Sequence, residues 1–419
     1  MTPAHTEAAP RAHLLDRLGI YPPLAWGYLG LLLFMIGDGV ESGFLSPYLI
    51  ERGIAQHVAA IFTAYGVTAA VAAWFSGALS DLWGPRRVMW AGLAIWAVFE
   101  VLFLFTLSTS AGYLTVLLTY ALRGFGYPLF AYGFLVWITA ATPERRLGTA
   151  VGWFWFAFTG GLPTLGSLLA SFTVPLMGAY NTLWTSLSLV IVGGLIALFG
   201  VREARGFRRL APEGENPLKT VLSSVTIAVR EPKIAAGCVV RIINTAPQFG
   251  FLVFLPIFFT QTVGFTLTAW LRLLSAIFLS NIVWNLLFGV IGDKFGWRRT
   301  VALCGGVGSA ITTLLLYYVP QIFGANYTLC IVAGVMYGAT LAGYVPLSAL
   351  MPSLAPDHRG AAMSMLNLGA GAATWVGPAI VGIFLAPLGV AGVMWIFAVL
   401  YLVSAALAWT LRLPSEQIK

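Results

Sequence analysis

Long apolar stretches, separated by short polar segments, recur along the whole chain. Each stretch has the length and composition of a helix that crosses a bilayer, which needs about 20 predominantly apolar residues. The pattern therefore predicts an all-α membrane protein with twelve membrane-spanning helices. The predicted spans are residues 24–49, 57–80, 86–107, 112–140, 147–171, 181–201, 234–260, 266–291, 299–319, 327–351, 360–386 and 389–411.

The composition and the distribution of charge agree with this reading. The 419 residues are 59% hydrophobic and 9% charged, whereas soluble domains carry about 25% charged residues. Nineteen of the 23 Lys and Arg residues lie in the termini and in alternate loops, as expected for loops that face the cytoplasm. This distribution predicts cytoplasmic termini in a membrane-lipid environment. Because it accounts for the net charge of +8, that charge gives no support to nucleic-acid binding.

One long polar stretch divides the chain. Residues 202–233 separate six predicted spans from six others and are expected to form a cytoplasmic linker. The chain is therefore divided into an N-terminal six-helix bundle, residues 1–201, this linker, and a C-terminal six-helix bundle, residues 234–419.

Two loops repeat between the halves. GALSDLWGPRR, residues 77–87, matches GVIGDKFGWRR, residues 289–299, at an offset of 212 residues. PERRLG, residues 143–148, matches PDHRG, residues 356–360, at an offset of 213. Two loops repeating at nearly one spacing indicate an internal duplication, and repeats of this kind are one architecture of secondary transporters.

The first repeated pattern suits a conformational latch. Glycine allows close helix approach, and the aspartate can accept hydrogen bonds from arginine or from a helix N-terminus. The alternative is a topology anchor, in which the arginines only mark the cytoplasmic side. The candidate latch residues are Gly77, Asp81, Gly84, Arg86, Arg87, Gly289, Asp293, Gly296, Arg298 and Arg299.

Apart from the loop arginines at the span ends, six charged residues fall within the predicted spans. A charge there costs about 2.5–3.5 kcal/mol on insertion scales and usually faces a cavity or a partner. Asp38 and Glu41 are three residues apart and share a helix face, and two adjacent buried acids do not both ionise readily. A carboxylate that alternates between Arg123 and a proton would suit a proton-coupled carrier. The alternative is a permanent Asp38–Arg123 pair that fixes helix packing. The remaining three are Glu100, for which the sequence suggests no partner, Arg241 and Arg272.

The candidates for substrate binding are amide and aromatic side chains and one arginine in the second half, with Glu41 and Tyr127 in the first half. Amides suit vicinal hydroxyls, and aromatic rings cover the C–H faces of sugars and polyols. Two acids facing two arginines leave little net charge, which favours a neutral substrate. The alternative is that the amides join helices to one another. The candidates are Glu41, Tyr127, Arg241, Asn244, Gln248, Asn281, Trp284, Asn285 and Tyr337.

The sequence gives no support to an enzyme. The three cysteines lie in apolar spans, the four histidines lack metal-ligand spacing, and no nucleotide-binding loop or Ser/His/Asp constellation is evident. We expect no metal and no cofactor, with the proton as coupling ion.

The paired loops and the string RGFGYP, residues 123–128, resemble the signature motifs of the major facilitator superfamily. This resemblance implies two pseudo-symmetric six-helix bundles that rock around a central cavity. An Asp and an Arg on the corresponding helices carry coupling in sugar–proton symporters of this superfamily. By that resemblance Asp38 is the first choice for the proton site, and Glu41 is a substrate ligand or a second proton site.

Several strings resemble bacterial pentitol permeases, among them LAWGY (residues 24–28), GWFW (152–155), RIINT (241–245) and GAA (360–362) with Asn367. The resemblance implies a monomer in the bacterial inner membrane that imports ribitol or D-arabinitol by proton symport. Asn367 joins the candidate substrate residues on this basis. Proton-driven efflux of an amphipathic compound and uncoupled facilitation of a sugar or polyol remain the alternatives.

Overall fold

The computed structural model describes residues 20–109, 112–211, 214, 230–355 and 359–413, and within these ranges it contains helices and no strand. Ten helical segments, α1–α10, are long and apolar enough to cross a membrane. The predicted position of both chain termini and linker residues 215–229 lie outside the described residues. The ten segments are Pro22–Gly43, Ala55–Trp83, Pro85–Ser108, Tyr113–Ala141, Arg146–Gly200, Pro232–Thr262, Leu267–Phe295, Trp297–Phe323, Tyr327–Leu354 and Ala362–Thr410.

Segments α5 and α10 are too long for one crossing. They contain 55 and 49 residues, and a straight helix of 55 residues would be about 80 Å long, against about 30 Å for the apolar core of a bilayer. Each is interrupted at one glycine with a positive φ, Gly178 (φ 83°) and Gly389 (φ 66°). Glycine adopts this conformation readily because it lacks a Cβ, so each segment is two helices joined at a glycine.

Small residues allow the central helices of each half to approach closely. In the first half (residues 20–211), Gly30 of α1 lies against Gly193 and Ala197 of α5. In the second half (residues 230–413), a Cβ on Gly377 of α10 would lie 1.9 Å from the carbonyl oxygen of Ala246 in α6. Close backbone packing of this kind is typical of helices in membranes, where lipid gives no hydrophobic drive for association.

The two halves pack through α2 with α10 and through α5 with α7. Thr374 of α10 donates its hydroxyl to the carbonyl of Gly66 in α2 at 2.8 Å. Ser275 of α7 donates to the carbonyl of Thr164 in α5 at 3.0 Å. The bond of Thr374 joins the halves near the middle of α2, and that of Ser275 lies in the first third of α7.

The halves also meet at one end of the bundle. We call the end that carries residues 84–87 and 296–299 the Arg-rich end. At the opposite end, Trp270 of α7 donates its indole N–H to the carbonyl of Gly43, at the end of α1, at 2.9 Å. Ser46, just beyond α1, donates its hydroxyl to the carbonyl of Val253 in α6. The bundle is therefore closed between its halves at the end opposite the arginines.

Candidate functional site

The acid-bearing end of α1 lies deep within the first half because a glycine permits close packing. The last turn of α1 is a 3₁₀ turn, Val40–Gly43, that begins directly after Gly39. A Cβ on Gly39 would lie 1.5 Å from the carbonyl oxygen of Leu162 in α5. Asp38 and Glu41 flank this contact and are only 4% and 3% exposed. The fold therefore removes both acids from solvent.

Arg123 is the centre of a buried ion cluster. It ends the first part of α4, Tyr113–Arg123, and its side chain is fully buried. Its Nη1 donates to Glu41 Oε2 at 2.8 Å, and its Nη2 donates to Glu41 Oε1. Nη1 also donates to Glu100 Oε2 on α3, and the hydroxyl of Tyr120 donates to Glu41 Oε1 at 2.7 Å. Two carboxylates therefore share one guanidinium.

Asp38 lies beside this cluster and binds different donors. Its Oδ1 accepts the indole N–H of Trp96 in α3 at 2.6 Å. The hydroxyl of Tyr65 in α2 donates to the same oxygen at 3.5 Å. The Arg123 guanidinium lies 4.9 Å from the centre of the Trp96 ring, a distance at which a cation is attracted to an aromatic face. Trp96 therefore connects Asp38 to the cluster.

The partner of Arg123 differs from the expected one. The sequence favours Asp38 as its partner, whereas the structure pairs Arg123 with Glu41 and Glu100. The 3₁₀ turn after Gly39 brings Glu41 to the guanidinium, and α3 supplies the second acid. Trp96 and Glu100 are four residues apart and share one helix face, a spacing that could have revealed their joint role. The coupling roles of Asp38, Glu41 and Arg123 stay predictions.

The centre of the second half contains a chain of neutral hydrogen bonds. Asn244 of α6 donates its amide to the carbonyl of Leu341 in α9 at 3.3 Å. The hydroxyl of Tyr401 in α10 donates to the carbonyl of Asn244 at 3.2 Å and lies 2.9 Å from the hydroxyl of Tyr337 in α9. Asn244 and Tyr337 therefore join three helices in this conformation. Tyr401 was not among the residues predicted from the sequence, because no charge or motif singles it out.

The two asparagines of α7 are hydrogen-bonded to each other, and one of them also reaches the backbone of α9. Asn281 donates to the carbonyl of Gly338 in α9 at 3.1 Å, and Asn285 donates to Asn281 Oδ1 at 3.2 Å. The ring of Trp284 packs against Phe288, with centroids 5.5 Å apart. These contacts favour helix packing over substrate binding for this group.

The other candidate substrate residues are distributed over both halves. Gln248 and Tyr337 line a small cavity together with Trp270 and Phe278. Tyr127 is buried in the first half, with its ring 6.4 Å from that of Tyr65. Asn367 lies on an exposed face of α10. Gln248 and Tyr337 thus lie at one small cavity, whereas Arg241 with Asn244, and Asn281 with Asn285, are brought together by hydrogen bonds.

Arg241 is a second cation near the interface between the halves. It is half-buried on α6 and donates to Asn244 Oδ1. It is close enough to Tyr132 of α4, in the first half, to interact with it electrostatically. Among the residues that the structure describes, these partners are an amide and a phenol rather than a carboxylate. The expected balance of two acids against Arg123 and Arg241 is therefore not formed. The partners of Arg241 are neutral, and a third acid, Glu100, joins Arg123.

The two candidate latch loops share one backbone turn. Gly84 has φ 88° and Gly296 has φ 91°, so both use a conformation that favours glycine. Asp81 accepts backbone hydrogen bonds at its carbonyl from the start of the linker, including Leu210 N at 2.9 Å. Asp293 instead accepts the indole N–H of Trp297 at 2.8 Å with its side chain.

The arginines of these loops bind within their own halves. Arg86 donates to the carbonyl of Leu198 near the end of α5, and Arg298 donates to that of Trp409 near the end of α10 at 3.1 Å. Arg87 donates to the carbonyl of Trp83, one turn earlier, at 3.4 Å. The bonds of Arg86 and Arg298 therefore anchor each loop to the last helix of its half.

Gly77 and Gly289 have space around them. A Cβ added to either would meet no other atom within 4 Å, so neither residue is used here for close packing between the halves. A closed latch at these positions stays a prediction for another conformation.

Two matching halves of long apolar helices, joined near the middle and at one end, define a multi-pass membrane protein with the architecture of a transporter. A sequence model described as "Major Facilitator Superfamily" matches residues 27–283 and, in a second match, residues 237–419. The chain belongs to the Major Facilitator Superfamily, and it is therefore a transporter rather than an enzyme.

Three similar proteins are named as transporters of small polar solutes. The chain is 46% identical to the alpha-ketoglutarate permease of Bacillus subtilis (strain 168), over 97% of this chain and 93% of that protein. It is 37% identical to the D-arabinitol transporter of Klebsiella pneumoniae, over 94% of this chain and 93% of that protein. It is also 37% identical to the ribitol transporter of Klebsiella pneumoniae, over 93% of this chain and 92% of that protein. The resemblance to polyol permeases is thus confirmed.

Proposed function

We propose that the chain crosses the bacterial inner membrane twelve times, in two six-helix bundles. Segments α5 and α10 would each cross twice and turn at Gly178 and Gly389. The Arg-rich end would face the cytoplasm, because basic loops are retained on that side. The described conformation is then closed towards the outside of the cell.

We propose that this transporter imports an acyclic polyol, a pentitol such as ribitol or D-arabinitol, by proton symport through alternating access. One observation carries the coupling. Glu41, held by Arg123, lies in the same 3₁₀ turn as Gly43, whose carbonyl binds Trp270 of the other half. Protonation that changes the hold of Arg123 on Glu41 would therefore act on the turn that joins the two halves.

The choice of a polyol rests on the relatives and on the neutral polar groups near the interface. Two similar proteins are named for D-arabinitol and ribitol. Gln248 and Tyr337, which lie beside one small apolar cavity, carry an amide and a phenol, groups that donate to and accept from hydroxyls. Binding of the solute must favour one of the two facing states for transport to be coupled.

Import of 2-oxoglutarate with protons is the second candidate, and Arg241 favours it. The described partners of this guanidinium are neutral, and arginine suits carboxylates because its planar fork can donate two parallel hydrogen bonds. A similar protein at 46% identity is named an alpha-ketoglutarate permease.

Uptake of labelled ribitol, D-arabinitol and 2-oxoglutarate distinguishes the two candidates. We would use cells that lack their own carriers for these solutes and express the wild type or Arg241→Gln. Accumulation of a pentitol supports the first candidate, and we expect Arg241→Gln to raise its KM by about tenfold, the value of one hydrogen bond. Accumulation of 2-oxoglutarate that is abolished in the variant supports the second.

Arg272→Gln is the matched control. This arginine is exposed, and its guanidinium lies 5.5 Å from the centre of the Phe172 ring. Cells that express Arg272→Gln should take up each solute at the wild-type rate. Entry of a solute without accumulation would support an uncoupled facilitator, and failure of all three solutes to enter would favour efflux of an amphipathic compound.

A further inference from the structure

The buried cluster of the first half contains more acids than cations. Asp38, Glu41 and Glu100 are each at most 4% exposed, and Arg123 is fully buried beside them. If all three acids were ionised, the cluster would carry two uncompensated negative charges in a site shielded from water. Carboxylates that share such a site cannot all ionise, so the arrangement requires at least one bound proton.

The number of hydrogen-bond donors differs among the three acids. Glu41 accepts from both terminal nitrogens of Arg123 and from Tyr120. Asp38 accepts from Trp96 and Tyr65. A carboxylate is stabilised by each donor that points at it, so Glu41 is the acid best suited to stay ionised.

Glu100 is the acid of the cluster with a fully buried oxygen that no described donor reaches. Its Oε2 accepts from Arg123 Nη1, and its buried Oε1 has no hydrogen-bond partner among the described residues. The charged groups that act on it are Arg123 from α4 and the Asp38 and Glu41 carboxyls from α1. From α5, the Tyr180 hydroxyl reaches α3 at the carbonyl of Leu104, one turn beyond it.

Two further phenols stand around the cluster. The hydroxyl of Tyr120 is occupied by Glu41, and that of Tyr65 points to Asp38. The described groups of the neighbouring helices therefore leave Glu100 as the acid with an unpartnered buried oxygen.

We propose that Glu100 is the carboxyl group that binds and releases the transported proton, an inference that rests on the proposed proton symport. With the proton on Glu100, Arg123 is held by Glu41 alone as its anionic partner. When the proton leaves for water, Glu100 becomes a second anion that competes for Arg123 Nη1. This competition weakens the hold on Glu41 and thus on the turn that ends at Gly43.

Infrared spectroscopy of the purified protein in detergent tests where the proton lies. At neutral pH we expect a carboxylic-acid C=O band that shifts on exchange into heavy water. The band should be lost in Glu100→Gln and retained in Asp38→Asn. Glu51→Gln is the matched control, because Glu51 is an exposed acid outside the cluster.

Retention of the band in Glu100→Gln together with its loss in Asp38→Asn would overturn the proposal and assign the proton to Asp38. Absence of the band from the wild type would overturn it as well. The infrared spectra do not depend on transport, so they test the position of the proton even if no solute is found to move protons. A failure of every solute to move protons would count against the proposed symport alone.

Transport assays add a readout that a purely structural role would not change. In Glu100→Gln we expect exchange of labelled for unlabelled solute to persist and accumulation against a gradient to be lost. Glu100→Asp keeps a carboxyl and should restore accumulation, whereas a structural role would be served at least as well by the isosteric glutamine. Should Glu100→Gln fail to fold, the Glu100→Asp variant and the wild-type spectrum still decide. Full accumulation by Glu100→Gln would overturn the proposal.

Discussion

The centre of the first half holds charged side chains, whereas the corresponding region of the second half holds a chain of neutral groups. In the first half Arg123 is bound by Glu41 and Glu100. In the second half Tyr337, Tyr401 and the carbonyl of Asn244 are joined through hydroxyl hydrogen bonds. The two halves therefore differ at their centres, and the buried acids of the described residues, Asp38, Glu41 and Glu100, all lie in the first half.

The loops at the Arg-rich end show what the two halves share. Gly84 and Gly296 have nearly the same φ, and Arg86 and Arg298 each bind the last helix of their half. Their surroundings differ, because the linker around Phe207 covers the first loop, while the second loop borders a cavity of about 470 Å³. Scaffold geometry is thus shared more closely than the groups that cover it.

The largest expected effect comes from breaking the charged centre. Arg123→Gln leaves Glu41 and Glu100 without their cation, and removing one partner of a buried ion pair costs about 3–5 kcal/mol. We expect loss of uptake and a large fall in the free energy of unfolding, measured by thermal unfolding in detergent. Arg272→Gln, which removes an exposed arginine, should leave both quantities near wild type, and an equal loss in the two variants would contradict the account.

A smaller effect should distinguish the two loops. Alanine at Gly84 or Gly296 is strained by the positive φ, at about 1–3 kcal/mol. A Cβ at Gly84 would also lie 2.8 Å from the backbone of Phe207, whereas one at Gly296 meets nothing within 4 Å. Gly84→Ala should therefore unfold at a lower temperature than Gly296→Ala. Equal unfolding temperatures would mean that the linker does not pack on the first loop.

The smallest difference compares one phenol from each centre. Tyr120→Phe removes a hydrogen bond to the Glu41 carboxylate, and bonds to charged groups are worth about 1.5–3 kcal/mol. Tyr337→Phe removes a neutral bond to Tyr401, and such bonds between membrane helices average about 0.6 kcal/mol. Thermal unfolding should rank the variants in that order, and the reverse order would place the greater polar stabilisation in the second half.

The sequence predicted where the helices lie along the chain better than which face each helix turns towards its neighbours. Apolar runs and the repeated loops located the long helices, and the predicted span ends fall near the glycine breaks at Gly178 and Gly389. The spacing of Asp38 and Glu41 indicated a shared face, and both acids are buried near Arg123. Their partners depend on how α1, α3 and α4 turn towards one another.

That orientation is set by contacts between distant residues. The 3₁₀ turn after Gly39 follows from the approach of Leu162, which no local pattern encodes. The same limit applies to Asn281, whose amide donates to the carbonyl of Gly338 in the described conformation. Its part in substrate binding stays a prediction, because an amide on a membrane helix suits either role.

The most direct test of the account is the internal pH of liposomes that contain the purified protein. A pentitol or 2-oxoglutarate would be added outside while solute entry is followed with label. The account predicts that the interior acidifies in step with solute entry, and that Arg123→Gln abolishes the acidification. Entry of solute at the full rate with no change of internal pH would contradict proton coupling through the charged centre of the first half.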